Sequence, residues 1–240
     1  MGHKLKIFSD FDGTVTIYDT WLEVGDYFIR DKKKWAEVIK DFEELKIGAR
    51  ECFLAECGLI ENFDLDKFNE IIDKQRIDPG FSEFKNFCDS NRFPVTILSE
   101  GMDYYIGRVL ANHHLEILYY GNKFVLADDN KSFSLEFPNS DSECTRCGCS
   151  KRNLILNLTS DDEISVFIGD GFSDVCAVHY ADIVFAKKSL ASYCWKNNIT
   201  YFDFQNFSDI TKKLEKILQK KIIPHRQSAK LNRRDVFIRG

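Results

Sequence analysis

A short apolar run, Lys4-Leu5-Lys6-Ile7-Phe8, breaks into Ser9-Asp10-Phe11-Asp12-Gly13-Thr14. The run reads as a buried strand, and the break as the turn at its carboxyl end. Alternate residues of an extended chain point the same way, so the carboxylates of Asp10 and Asp12 share one side, roughly 6–7 Å apart. Such a pair suits two jobs. One carboxylate can attack phosphorus and hold a cation while the other handles a proton. Gly13 allows a sharp turn, and Thr14 offers a hydroxyl. The same residues also read as an acidic turn after a strand, because Asp-Gly is a common turn pair. The choice between the two rests on the remainder of the chain.

Residues 16–75 carry large apolar side chains at helical spacing, in Asp19–Ile29, Trp35–Phe42, Glu51–Ala55 and Phe68–Ile72. Gly48, Gly58 and Asn62 punctuate them. This is an all-helical segment whose Trp and Phe stripes form the core of a small bundle. Pro79-Gly80 marks a boundary, after which Phe81–Ser90 reads as a helix and Pro94–Ser99 as a buried strand ended by Ser99-Glu100-Gly101. Tyr104–His113 is the next helix, and the adjacent His113 and His114 cannot share a helix face as a metal pair. Leu115–Glu136 reads as short antiparallel strands broken at Gly121-Asn122 and at Asp128-Asp129-Asn130. A loop over Pro138–Cys149, a helix over Ser150–Leu158 and a buried strand over Glu163–Ile168 follow. Ile183–Phe185 and Ile199–Phe202 are further strands with a helix between them, and Phe207–Leu218 is an amphipathic helix. Strands alternating with helices predict an α/β fold, a parallel sheet covered on both faces. Ligands of such sheets bind outside the carboxyl ends of the strands.

Composition narrows the function classes. A length of 240 residues suits one domain or a core with a smaller insert, and a 44% hydrophobic share is enough to pack it. The net charge of −5 offers no global basic field, so nucleic acid is not expected as a partner. No apolar run is long enough to span a membrane, and the N-terminal residues lack a signal-peptide pattern. A cytoplasmic protein is therefore expected. Eight cysteines in a chain this long suggest reduced thiols rather than a disulfide scaffold. From Lys220 the chain turns basic, through Lys221, Arg226, Lys230, Arg233, Arg234 and Arg239. A solvated or partly docked terminus is the simpler reading, with a nucleic-acid or membrane arm as the alternative.

Four polar clusters fall where the strand-end rule wants them. Asp10 and Asp12 form the first. Ser99 ends a strand, and its hydroxyl and the nearby N–H groups of Glu100 and Gly101 can hold phosphate oxygens. Lys151 opens a helix, where its ammonium can neutralise phosphate. Asp170 and Asp174 follow the strand that ends at Ile168. Each has a plainer reading: Ser99 as a cap, Lys151 as surface charge, Asp174 as an N-cap. Taken jointly, in this order and at these strand ends, they point to one site.

The chain resembles the haloacid dehalogenase-type phosphatases over nearly all of residues 4–218. Asp10-Phe11-Asp12-Gly13-Thr14 matches their DxDGT signature, Ser99 their second motif and Lys151 their third. Gly169-Asp170-Gly171-Phe172-Ser173-Asp174 matches their fourth. A helical insert directly after the first motif resembles the C1-type cap of the phosphoserine-phosphatase-like branch. Within it, Gly101-Met102-Asp103, Cys147-Gly148-Cys149-Ser150-Lys151 and the cap look most like the phosphatases of methionine salvage. The phosphoserine and phosphoethanolamine/phosphocholine phosphatases are neighbouring resemblances.

The resemblance implies a Rossmann-like core of residues 1–15 and 78–220, a helical cap of 16–77, and a basic tail of 221–240. It implies a nucleophile at Asp10, an acid–base at Asp12, and Mg²⁺ held by Asp10, Asp170 and the main-chain carbonyl of Asp12. Ser99, Glu100, Gly101 and Lys151 would grip phosphate, with Thr14 and Asp174 in support, the latter orienting Lys151 or metal-bound water. Asp19 lies where relatives contact the polar head of the substrate, and Arg50 can pair with an anionic or carbonyl group; a surface role is open for both. If these two face the pocket, phosphoserine-like zwitterions fit; if Trp21, Phe28 and Phe53 do, a thioether chain fits better. Glu100 stands where the family has glycine, and its carboxylate is expected to point away from phosphate. Cys144, Cys147 and Cys149 crowd one loop, which leaves open a structural metal, a disulfide or reduced thiols. The expected partner is a small-molecule phosphate monoester, and the reading admits a homodimer. A phosphotransferase and a catalytically silent binding module are the competing readings.

Overall fold

The structure, a computed structural model, describes residues 4–223 and 225–239. Residues 1–3 of the expected core, and 224 and 240 of the expected tail, lie outside the described residues. In chain order, β1 (Leu5–Ser9) leads into four helices: α1 (Thr20–Phe28), α2 (Lys32–Glu43), α3 (Ala49–Cys57) and α4 (Leu65–Asp73). Then come α5 (Phe81–Ser90), β2 (Val95–Met102), α6 (Asp103–Asn112), β3 (Leu118–Leu126) and β4 (Phe133–Glu136). The last third holds α7 (Lys151–Leu158), β5 (Ile164–Gly169), β6 (Ile183–Ala186), α8 (Lys188–Lys196), β7 (Phe202–Asp203), α9 (Phe207–Leu218) and α10 (Gln227–Arg239). No helix among the described residues is long and apolar enough to cross a membrane.

The chain forms two compact units. One comprises residues up to 10, 77–97 and those from 151 onward; the other comprises 11–76 and 98–150. The first unit is the α/β part. Its strands lie in the order β2-β1-β5-β6-β7, and their pairings are parallel. Ile7 pairs with Val95 on one side and with Val166 on the other, and Val166 pairs in turn with Ile183. These strands are near-continuous apolar runs, as a sheet covered on both faces requires. Phe81 and Phe84 of α5 pack on Phe207 of α9, the Phe81 and Phe207 rings meeting edge-on at 4.7 Å.

The second unit holds α1–α4, α6, the later residues of β2, and the β3–β4 hairpin. Each of α1, α2 and α4 starts on an aspartate cap, Asp19, Asp31 and Asp64, whose side chain accepts a first-turn N–H. Trp21, Val24 and Phe28 of α1 face inward at spacings of three and four. Gly25 lets the Trp35 ring of α2 press on α1, since a Cβ there would lie 2.6 Å from that ring. Trp21 and Phe53 meet edge-on at 4.7 Å, and Phe28 lies 5.7 Å from Phe63. Trp21, Phe28 and Phe53 are thus packed core, all buried.

Three sequence expectations change. The strand read as ending at Ser99 runs on to Met102, so Ser99-Glu100-Gly101 lie inside β2. Gly121-Asn122 does not break the hairpin but lies within β3, next to β2. Gly121 is there for closeness, not for turning: a Cβ would meet the Gly101 carbonyl at 2.9 Å. The strand expected over Ile199–Phe202 shrinks to Phe202–Asp203. The basic tail carries α10, which is docked within its unit. Arg233 is buried, its guanidinium 3.1 and 2.9 Å from the two Asp182 carboxylate oxygens and 2.6 Å from the Tyr180 carbonyl.

Candidate active site

In the α/β unit the end of β1, the loop after β5 and the start of α7 deliver four of the expected residues to one place. Asp10 follows β1, and its N–H donates to the Ile168 carbonyl of β5 at 2.9 Å, which fixes the chain at the strand end. Lys151, the first residue of α7, is 2% exposed. Its ammonium lies 2.5 Å from Asp10 Oδ1 and 2.6 Å from Asp174 Oδ1. Asp174 Oδ2 accepts from the N–H groups of Asp170 and Gly171 at 3.1 and 3.2 Å. Gly169 makes room for this loop, because a Cβ there would lie 2.3 Å from Asp174 Oδ2. Asp170 Oδ2 receives the Lys188 ammonium at 2.7 Å. One carboxylate oxygen from each of Asp10, Asp170 and Asp174 falls within a 4.8 Å cluster.

The electrostatics follow from that geometry. Burial pushes the Asp10 carboxyl well above its ordinary range, and the Asp174 charge pushes it further, while Lys151 opposes both. Asp174 is raised for the same first reason, burial, against the pull of Lys151. For Lys151, burial favours the neutral amine, but Asp10 and Asp174 outweigh it and the ammonium is held more firmly than usual. One buried ammonium thus faces carboxylates in excess of its own charge. A divalent cation has a place among them by donor chemistry: three clustered carboxylates, two of them strained toward neutrality by mutual repulsion and burial.

The second unit carries Asp12, Thr14, Asp19, Arg50, Ser99, Glu100 and Gly101. Asp12 accepts the Thr20 N–H at Oδ1, 3.0 Å, and the Tyr105 hydroxyl at Oδ2, 2.6 Å. Gly13 takes a left-handed φ of 69° in the turn, where glycine carries no Cβ penalty. Thr14 is buried and its N–H donates to the Phe11 carbonyl at 3.2 Å. Ser99 is 1% exposed and its Oγ accepts the Gly101 N–H at 2.9 Å. The Glu100 carboxylate is taken up by the loop before Lys151: Oε2 accepts from the N–H groups of Gly148 and Cys149 at 2.9 and 3.2 Å. Asp19 caps α1 and lines an open groove of about 710 Å³ with Tyr18, Leu22, Tyr27 and Ile71. The Arg50 guanidinium lies 4.3 Å over the Phe137 ring. No cysteine is in a disulfide among the described residues, and Cys144, Cys147 and Cys149 do not gather with other ligand types into a group of three or more there.

Two contributors escaped the sequence reading. Lys188 follows β6 at a strand's carboxyl end, so the strand-end rule that found the aspartates reaches it as well. Tyr105 lies within a helix, and no local pattern distinguishes it from core.

No family model matches the chain. Among solved structures, a phosphoserine phosphatase held as a phospho-aspartyl intermediate analogue superposes with a TM-score of 0.68, at 16% identity, covering 88% of this chain and 99% of that one. A substrate-bound phosphoserine phosphatase gives 0.69 at 15% identity, covering 89% and 99%. At such identity the likeness speaks for the fold, that of the haloacid dehalogenase-type phosphatases. The class, a phosphoric monoester hydrolase, rests on curated relatives at about twice that identity. A 2-hydroxy-3-keto-5-methylthiopentenyl-1-phosphate phosphatase of Bacillus mycoides is 31% identical over 230 residues, covering 91% of this chain and all, 100%, of the relative. Its Bacillus cereus counterpart is 30% identical over 228 residues, covering 91% and 99%. The chain belongs to this family of phosphatases.

Proposed function

We propose that the chain hydrolyses a small phosphate monoester through an aspartyl-phosphate on Asp10, and that the monoester is 2-hydroxy-3-keto-5-methylthiopentenyl 1-phosphate, the compound for which its relatives are named. The observation that carries the mechanism is the Lys151 ammonium bridging Asp10 and Asp174 in a buried site. Lys151 engages Asp10 Oδ1, which leaves Oδ2 to attack phosphorus. As that bond forms, the bond to the leaving oxygen breaks, and the alkoxide takes a proton from Asp12. Water then passes a proton to Asp12 and attacks phosphorus, the bond to Asp10 breaks, and inorganic phosphate leaves. Lys151 and Ser99 hold the charged oxygens through both steps. Asp174 keeps Lys151 aimed. Mg²⁺, held by Asp10, Asp170 and the main-chain carbonyl of Asp12, would supply the counter-charge for an anionic substrate.

In this reading residues 16–77 act as the specificity cap, with Asp19 and Arg50 at the polar end of the substrate; since Trp21, Phe28 and Phe53 are packed core, the thioether choice rests on the relatives and not on those rings. The protein works in the cytoplasm, which agrees with cysteines that form no disulfide among the described residues. It acts as a monomer or homodimer, without nucleic-acid or membrane partners. The test is a panel of the methylthiopentenyl phosphate, phosphoserine, phosphoethanolamine, phosphocholine and sugar phosphates, with Mg²⁺ and with EDTA. The first should be preferred by at least about tenfold in kcat/KM, the size of discrimination one well-placed contact gives. Acid quenching should trap a phosphoenzyme that Asp10→Asn lacks. Full turnover by Asp10→Asn would refute the nucleophile, and transfer of phosphate to an added alcohol in place of water would make the chain a phosphotransferase.

A further inference from the structure

The Asp12 carboxylate is held at both ends by groups of its own unit. Oδ1 accepts the N–H of Thr20, in the first turn of α1, and Oδ2 accepts the hydroxyl of Tyr105 on α6. The latter, at 2.6 Å, lies in the range of charge-assisted O–H···O⁻ bonds. Tyr105 is wholly buried, its ring 6.3 Å from that of Phe11. Gly101 keeps the hydroxyl's place open. A Cβ at that position would lie 1.8 Å from Tyr105 Oη and 2.9 Å from Asp12 Oδ2.

We infer that Tyr105 is a positioning residue for leaving-group protonation: with the Thr20 N–H it fixes the plane and rotamer of the Asp12 carboxyl. One donor alone lets a carboxyl swing about its Cβ–Cγ bond, whereas donors at both oxygens hold it. Proton transfer is steep in geometry, and correct placement is part of the gain that general acid catalysis delivers. Tyr105 keeps its own proton in both steps; the proton that moves is the one Asp12 gives to the alkoxide and later recovers from water. The inference rests on the acid–base reading of Asp12 given above.

The test compares kcat/KM for two monoesters in the Mg²⁺-loaded full chain. p-Nitrophenyl phosphate has a leaving group that departs without a proton, and glycerol phosphate has one that needs it. Tyr105→Phe should lose about 10- to 100-fold on glycerol phosphate and less than about threefold on the aryl ester. Asp12→Asn should show the same selectivity more strongly. Gly101→Ala, whose methyl group displaces the hydroxyl, should break the Tyr105–Asp12 hydrogen bond by a second route, read by proton NMR. In proton NMR, the Tyr105 hydroxyl should give a far-downfield resonance that both Tyr105→Phe and Asp12→Asn remove. A selective Asp12→Asn beside an unselective or unaffected Tyr105→Phe overturns the inference alone. Equal losses on both esters in Asp12→Asn overturn the acid role of Asp12, and the inference with it. A downfield resonance that survives Tyr105→Phe also overturns it.

Discussion

Lys151 Nζ sits 2.5 Å from Asp10 Oδ1 although 141 residues separate the two in the chain. The contact brings the third motif to the first within one unit, and it makes the ammonium a structural element as well as the proposed phosphate ligand. Removing one partner of a buried ion pair leaves the other charge without compensation, at a cost of about 3–5 kcal/mol. Lys151→Met therefore strands Asp10 and Asp174, both buried. In metal-free protein its melting temperature should fall by roughly 10 °C, from the usual ratio of stability to melting shift at this size. Adding Asp174→Asn to it should recover part of the loss. An unchanged melting temperature in Lys151→Met would mean that the cluster is already neutral.

The same charge excess sets the response to metal. A cation that binds the folded cluster and not the unfolded chain stabilises the fold by mass action, about 2.7 kcal/mol at a hundred times its dissociation constant. Mg²⁺ should raise the melting temperature of the wild type, and EDTA should reverse this together with activity. Asp170→Asn should blunt the shift, since Asp170 contributes one of the three clustered carboxylates. A shift of equal size in Asp170→Asn would remove that residue from the metal site.

Glu100 carries a departure from the family glycine into structure. Its carboxylate satisfies two main-chain N–H groups, Gly148 and Cys149, in the loop that runs into Lys151. Glu100→Ala removes that acceptor. Leaving buried donors unsatisfied costs about 1–3 kcal/mol. The expected outcome is faster hydrogen exchange at the Gly148 and Cys149 amides, with the sheet amides of β1 and β5 unchanged. Unaltered exchange at these two positions would show that solvent or another acceptor replaces the carboxylate at no cost.

What the sequence disclosed follows the range of the interactions involved. Asp10, Lys151, Asp170 and Asp174 stand at strand ends and helix starts, which local periodicity and turn residues mark, so their gathering was legible, whereas Ser99 lies inside β2 and not at its end. Gly121 was misread because a glycine that turns the chain and a glycine that lets another backbone approach carry the same letter. Only the Gly101 carbonyl, some twenty residues upstream, tells them apart. For the tail, local charge left a solvated and a partly docked terminus equally open, and the Arg233–Asp182 pair that docks α10 spans 51 residues. Tyr105 stayed hidden for the same reason, its partner Asp12 being 93 residues away.

Glu56 offers a pH-dependent stability separate from the chemistry. It is buried on α3, with Oε1 accepting the Trp35 indole N–H at 2.8 Å and Oε2 that of Trp21 at 2.9 Å. The Cys52 thiol, one turn back on α3, also favours the ionised form. Lys32 lies 4.8 Å over the Trp35 ring. Burial raises the Glu56 carboxyl above its ordinary value of 4.5, and the two indoles and the thiol only partly offset this. A carboxyl raised in the folded state binds its proton more tightly there than in the unfolded chain. The stability it contributes is present in full below the unfolded value and is lost as pH rises through the folded one. Glu56→Gln removes that dependence, at the cost of setting an amide N–H₂ against one indole N–H. The melting temperature of the wild type relative to Glu56→Gln should therefore be highest below pH 4.5 and decline as pH rises above it. Tryptophan fluorescence should change over the same range in the wild type alone. A difference in melting temperature that stays constant from pH 4 to 8, or that grows with pH, would show that the indoles hold Glu56 ionised.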